Sequence, residues 1–174
     1  MFLTVSCGAS TPAGPSDAGD PGDIPDNQAF VPFTSADGMF TVSVPEGWAR
    51  RADGAATVFS DKLNSVRIEE VPAASAPDAA TTNATEIPAL NATVPGFRDG
   101  KVATVQRKAG TVLEITYGAT SAADPVTGKT SPQSVERYEY WRAGKTAIVT
   151  LTGAVGADNV DPWRTVTDSF QWKQ

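Results

Sequence analysis

The stretch Ser134–Thr152, SVERYEYWRAGKTAIVTLT, decides the fold of this chain. A run rich in β-branched and aromatic residues goes from Ser134 to Arg142, stops at Ala143-Gly144 and resumes from Lys145 to Thr152. A two-residue turn closes such a hairpin and fixes its register. Tyr138 then faces Val149 and Tyr140 faces Ala147 on one side. Glu139, Trp141 and Ile148 lie on the other side. Both faces carry apolar side chains, so a second layer must cover each of them.

Working outward, the same signals recur. Val112–Tyr117, with Leu113, Ile115 and Tyr117 pointing inward, folds back on Phe97–Arg107 through the turn Lys108-Ala109-Gly110. Ala122–Gln133 is a loop, punctuated by Asp124-Pro125, Gly128 and Pro132. Ser65–Val71 puts Val66, Ile68 and Glu70 on one face and Arg67 and Glu69 on the other. Ala56–Ser60 is a short strand, and Phe40, Val42 and Val44 alternate with Thr41 and Ser43 before Pro45-Glu46-Gly47. Two helices complete the pattern. One covers Ser75–Leu90, with Ser75 as its cap, Ala80, Ala84 and Ile87 near one face and Pro88 as its stop. The other starts at an Asp161 cap with Pro162 in the first position, and aligns Trp163, Val166 and Phe170. The expectation is an α+β domain over residues 30–174, a mainly antiparallel sheet flanked by helices.

Composition narrows the function classes. The 174 residues are 40% hydrophobic and 20% charged, an ordinary globular mix, with a net charge of −6. That balance gives no footprint for nucleic acid, whose binding needs clustered cations. There are no histidines, which removes the usual general base and the His-containing triads and metal sites. The single cysteine, Cys7, cannot form an intrachain disulfide. Glu69 and Glu70 are adjacent, so they point to opposite faces, and so do Glu136 and Glu139. Neither pair flanks a bond as a glycosidase requires. Arg137 and Glu139 share a face and form a surface ion pair. Gly153-Ala154-Val155-Gly156 lacks nucleotide-loop spacing, and no cofactor is implied.

The N-terminus carries a different signal. Leu3-Thr4-Val5-Ser6-Cys7-Gly8 resembles a bacterial lipobox, in which small residues precede a lipidated cysteine; Thr4 stands where that pattern usually has Leu. Residues 1–7 therefore read as the remnant of a lipoprotein signal, with Cys7 as the lipidation site and membrane anchor. Residues 8–29 hold four Gly, four Pro and four Asp with one large apolar residue, Ile24. Such a segment cannot offset its ordering entropy and reads as a disordered tether, with a mean span of roughly 25 Å.

Two stretches resemble a known family. Phe40-Thr41-Val42-Ser43-Val44-Pro45-Glu46-Gly47-Trp48 resembles the opening of PsbP-like domains. Asn159-Val160-Asp161-Pro162-Trp163 through Ser169-Phe170 resembles the closing helix of actinobacterial LpqN-type lipoproteins. The resemblance implies a PsbP-like α/β/α sandwich and an exported, non-catalytic binding or assembly role, with no shared catalytic motif. The function expected is a cell-envelope lipoprotein outside the cytoplasm that binds an unknown envelope protein. Such a module predicts no pocket with perturbed ionisable groups, and an exposed patch for a protein partner. A carrier is the alternative, and requires an apolar cavity of about 300 Å³ or more. An enzyme would need a Lys-activated Ser or Thr, or a carboxylate pair. The aromatics available to a partner are Trp48, Trp141 and Trp172, although Trp48 also suits a core cap and Trp172 the cover of a sheet edge.

Overall fold

The computed structural model describes residues 22–173. Cys7 and the lipobox-like stretch lie outside them. Seven antiparallel strands form the main sheet: β3 (Ala49–Asp53), β4 (Ala56–Asp61), β5 (Asn64–Pro72), β9 (Lys145–Ala154), β8 (Pro132–Arg142), β7 (Gly110–Thr120) and β6 (Arg98–Arg107), in that spatial order. A second sheet of three strands joins β1 (Phe30–Thr34), β2 (Phe40–Pro45) and β10 (Gln171–Trp172). Helix α1 (Ala79–Thr93) lies against one face of the main sheet, and α2 (Val160–Asp168) packs with the small sheet on the other.

The central hairpin has the expected register: Tyr138 pairs with Val149, Tyr140 with Ala147 and Glu139 with Ile148. Ala143 and Gly144 both have positive φ, at 47° and 86°, the geometry that matches a tight turn to strand twist. The tyrosine face is the core. Phe40, Val42, Val66, Ile68, Tyr140, Val149, Leu151, Val166 and Phe170 are all buried there. Tyr140 stacks on Phe170 at 3.9 Å, and Phe170 stacks on Phe40 at 5.0 Å, so the two sheets meet through a column of rings.

Several boundaries differ from the sequence reading, each for a local reason. α1 begins four residues after Ser75, because Asp78 Oδ1 accepts from the Ala80 and Thr81 amides at 3.0 Å each. It runs through Pro88, which is exposed and removes only one helical bond. α2 starts at Val160, before the expected Asp161 cap; Trp163 N–H already bonds to Asn159 O at 2.9 Å. Pro162 then occupies a first-turn position whose N–H would have no helical partner. β1 and β3 gave no apolar alternation: β1 carries Pro32 and β3 is ARRAD, exposed throughout. Both are edge strands that exist because a neighbour supplies their backbone bonds.

The domain also begins before Phe30, inside the stretch expected to be a disordered tether. Ile24 is 4% exposed and its N–H bonds to Asn159 Oδ1 at 2.8 Å. Asn64 and Asn159 both donate to Gly22 O, at 2.8 and 3.1 Å, and Asn159 also donates to Asn64 Oδ1 at 3.0 Å. Gly22 has φ +104°, and a Cβ there would meet the Ala154 methyl at 2.8 Å. Residues 22–24 are therefore a strap on the domain, buckled by two asparagines.

Candidate functional site

The face of the main sheet under α1 is not built like the core. Strand alternation and register bring Arg67 and Glu69 of β5, Thr146, Ile148 and Thr150 of β9, and Arg137 and Glu139 of β8 to that side. Glu69 and Glu139 both lie opposite Ile148, one from each neighbouring strand. Glu86 descends from α1 to meet them.

These groups converge on one guanidinium. Arg137 Nη2 reaches Glu86 Oε1 at 2.7 Å, Nε donates to Glu139 Oε1 at 3.0 Å, and Nη1 lies 3.5 Å from Glu69 Oε1. Arg67 donates to the other Glu69 oxygen at 3.0 Å and pairs with Asp53. The Glu139 side chain is only 5% exposed, so its ion pair with Arg137 is buried and not the surface pair expected from sequence. Burial, first, and then the charge and hydrogen bond of Glu86 push the Glu139 carboxyl up to about 7, against the pull of Arg137.

The cluster floors a cleft of about 600 Å³ that opens to solvent. One wall is the N-terminal half of α1, with Thr81, Thr82, Thr85 and Glu86. Its mouth is the segment Ala73–Asp78. Trp141 Nε1 donates to Ala73 O at 2.9 Å, while 37% of Trp141 stays exposed. Trp141 thus holds the rim of the cleft and keeps part of its surface in solvent beside it.

The three tryptophans separate clearly. Only Trp141 presents a large surface. Trp48 packs edge-on against Trp163 at 6.4 Å, and Trp172 edge-on against Phe170 at 5.2 Å and Phe40 at 5.7 Å. Both are half-buried additions to the core. Trp172 also pairs with Phe40 across β10–β2 and so covers that sheet edge.

A pocket with a perturbed carboxyl departs from the expectation of a module without one. The carboxylates nevertheless meet at a single arginine, and do not face each other across a space where a bond would lie. The sequence reading missed the cluster because it compared carboxylates within one strand. Glu139 opposite Ile148 was readable from the hairpin, but Glu69 joins it only through its β5–β9 pairing with Ile148, 79 residues away, which leaves no local signal.

On the other face, Arg107 sits over the Tyr138 ring at 4.8 Å and donates to its hydroxyl at 2.8 Å. That hydroxyl donates to Glu136 at 2.7 Å. This chain bonds on to Thr167 and ties the β6–β7 hairpin to α2. The space at the mouth between the sheets, lined by Phe33, Phe40, Ile68 and Glu70, is about 140 Å³. It falls short of the volume a drug-sized or lipidic ligand needs. Among the described residues no cluster of three His, Cys, Asp or Glu could hold a metal ion.

The architecture has solved counterparts. PsbP from the cyanobacterium Synechocystis aligns with a TM-score of 0.56 at 13% identity, over 93% of this chain and 99% of that one. The chain has a PsbP/Mog1-like fold. The Saccharomyces cerevisiae Ran-binding protein Mog1p aligns with a TM-score of 0.52 at 10% identity, over 84% and 96%. Mycobacterium tuberculosis LpqN, a protein involved in cell envelope biogenesis, aligns at 0.44 and 13% identity over 86% and 93%, too loosely to bear on the question. A longer Bacteroides thetaiotaomicron protein aligns at 0.52 and 13% identity over 82% of this chain, which spans 48% of its length. The sequence matches no family model and no curated protein. At these identities the likeness establishes the fold alone.

Proposed function

We propose that this chain is a non-catalytic binding module of the cell envelope, held to a membrane by lipid on Cys7, whose contact surface is the cleft under α1. The cleft carries the proposal: a solvent-open space with fixed charges on its floor and an exposed aromatic on its rim suits recognition. Burying Trp141 and the Ala73–Asp78 segment against a protein partner would cover apolar surface beside complementary polar groups. The fold neighbours fit such a role, since one of them is a Ran-binding protein. Assignment to the LpqN-type group rests on the Asn159–Phe170 motif and belongs to the same proposal. A lipid carrier is the weaker reading, because the space between the sheets is small and the larger cleft is charged.

Two measurements test it. Labelling with a fatty-acid probe in a bacterial host should modify the full chain expressed behind a lipoprotein signal peptide, and Cys7→Ser should abolish both label and membrane retention. A photo-crosslinker at Ser75, on the cleft mouth, should give a discrete adduct in the native envelope. The same group at Lys62, at the other end of the sheet, should give none. Equal adducts from both positions, or none from either, would remove the cleft as the contact surface.

A further inference from the structure

The fastening of α1 is uneven. Its sequence, AATTNATEIPALNAT, has almost no apolar face, and Thr82 is its one buried residue. The C-terminal half is held by half-buried Ile87 and Leu90. Ile87 and Phe97 close over Gly100, where a Cβ would come within 3.3 Å of Ile87 and 2.6 Å of Phe97. The chain leaving the helix is fixed to the sheet by Thr120 N–H bonding to Pro95 O at 2.7 Å. The N-terminal half has Thr82 and the Glu86 carboxylate. It is preceded by residues 74–77, which belong to no helix or strand, and Pro88 withholds the hydrogen bond that would join the two halves at Ala84.

We propose that residues 74–86 are a pH-dependent lid on the cleft, latched by Glu86 onto Arg137 beside Glu139 and released when Glu139 loses its proton. The charged and titratable groups around the latch come from four elements. Arg137 lies on the same strand as Glu139, Glu69 and Arg67 on β5, Glu86 and Asp78 at α1, and Tyr117 on β7. The side chains of β9 beneath them, Thr146, Ile148 and Thr150, are neutral. While Glu139 keeps its proton it hydrogen-bonds to Glu86, and Arg137 faces the Glu69 and Glu86 carboxylates. Once the proton leaves, three carboxylates share Arg137, and Glu86 and Glu139 repel beside the ion pair that holds the lid. Glu139 is fixed in a buried strand, so Glu86 and the lid are the part that moves. The change falls near neutrality, in line with the raised Glu139 carboxyl. The inference stands whatever occupies the cleft.

The test is hydrogen–deuterium exchange on the full chain at pH 5.5 and pH 8, with α2 as the internal correction for chemical exchange rate. Amides of residues 79–86 should lose about tenfold or more of their protection at the higher pH, the equivalent of one unit of proton linkage. Residues 90–93 and α2 should not change. Glu139→Gln should keep the lid protected at both pH values. Glu86→Gln, at a half-exposed position, gives the same reading should the buried substitution disturb folding. Equal protection of residues 79–86 at both pH values in the unmodified chain would overturn the proposal. So would a loss shared by α2, or a loss that persists in both variants.

Discussion

At the residue scale, Arg137 is the position where charge and fold depend most on each other. It neutralises carboxylates from β5, β8 and α1 with its side chain 15% exposed. Arg137→Ala strands those charges, and breaking a buried pair in this way costs about 3–5 kcal/mol. Urea unfolding at pH 8 should show a loss of that order, with a smaller one at pH 5. Glu139 gives the sign of the pH dependence. Its carboxyl is raised from an ordinary 4.5 to about 7, so its favourable contribution is complete below pH 4.5 and falls away as pH rises to 7. Relative to Glu139→Gln, the unmodified chain should lose on the order of 2 kcal/mol between pH 4.5 and 8, measured by chemical denaturation across the range. Ala143 is a simpler case. It holds φ +47° in a turn that favours Asn there, and Ala143→Asn should raise stability by about 0.5 kcal/mol in the same assay. The turn and its register were legible in Ala143-Gly144 alone. The fate of Arg137 was not, because two of its three carboxylate partners lie elsewhere in the chain.

At the scale of elements, what could be read was what carried its own period. β2, β5, β7, β8 and β9 alternate, and α2 lines up Trp163, Val166 and Phe170, so their sequences suffice. β1 and β3 do not alternate and are made by their partners. α1 stands between these cases. Its limits are set by Asp78 and by the turn after Thr93, and its weak apolar face offers nothing in the sequence to set against Pro88 as a stop. Pro88→Ala restores the missing helical hydrogen bond and should raise the local stability of α1 by about 1–3 kcal/mol. Slower exchange of the α1 amides, with global stability nearly unchanged, is the expected signature. A matching rise in global stability would mean that α1 unfolds only with the whole domain.

At the scale of the molecule, the strap at residues 22–24 changes what counts as the domain. A chain beginning at Asp26 loses the burial of Ile24 and leaves Asn64 and Asn159 without the Gly22 carbonyl and the Ile24 amide. It should be less stable than one beginning at Gly22 by about 3 kcal/mol in denaturant titrations, from the lost side-chain burial and the orphaned amides. Composition suggested a tether as far as Ala29, since one isoleucine among glycines, prolines and aspartates looks unsupported until its distant partners are known. The strap has a mechanical meaning as well. It enters at Asn64 and Asn159, beside the start of β5 and the end of β9, whereas the cleft mouth lies beyond Val71 and Thr146, at the opposite ends of the same two strands. Tension between the N-terminus and a molecule gripped at the cleft would run lengthwise along β5 and β9. Their eight paired positions from Ser65 to Pro72 would then carry the load along the strands, and not be peeled apart one bond at a time.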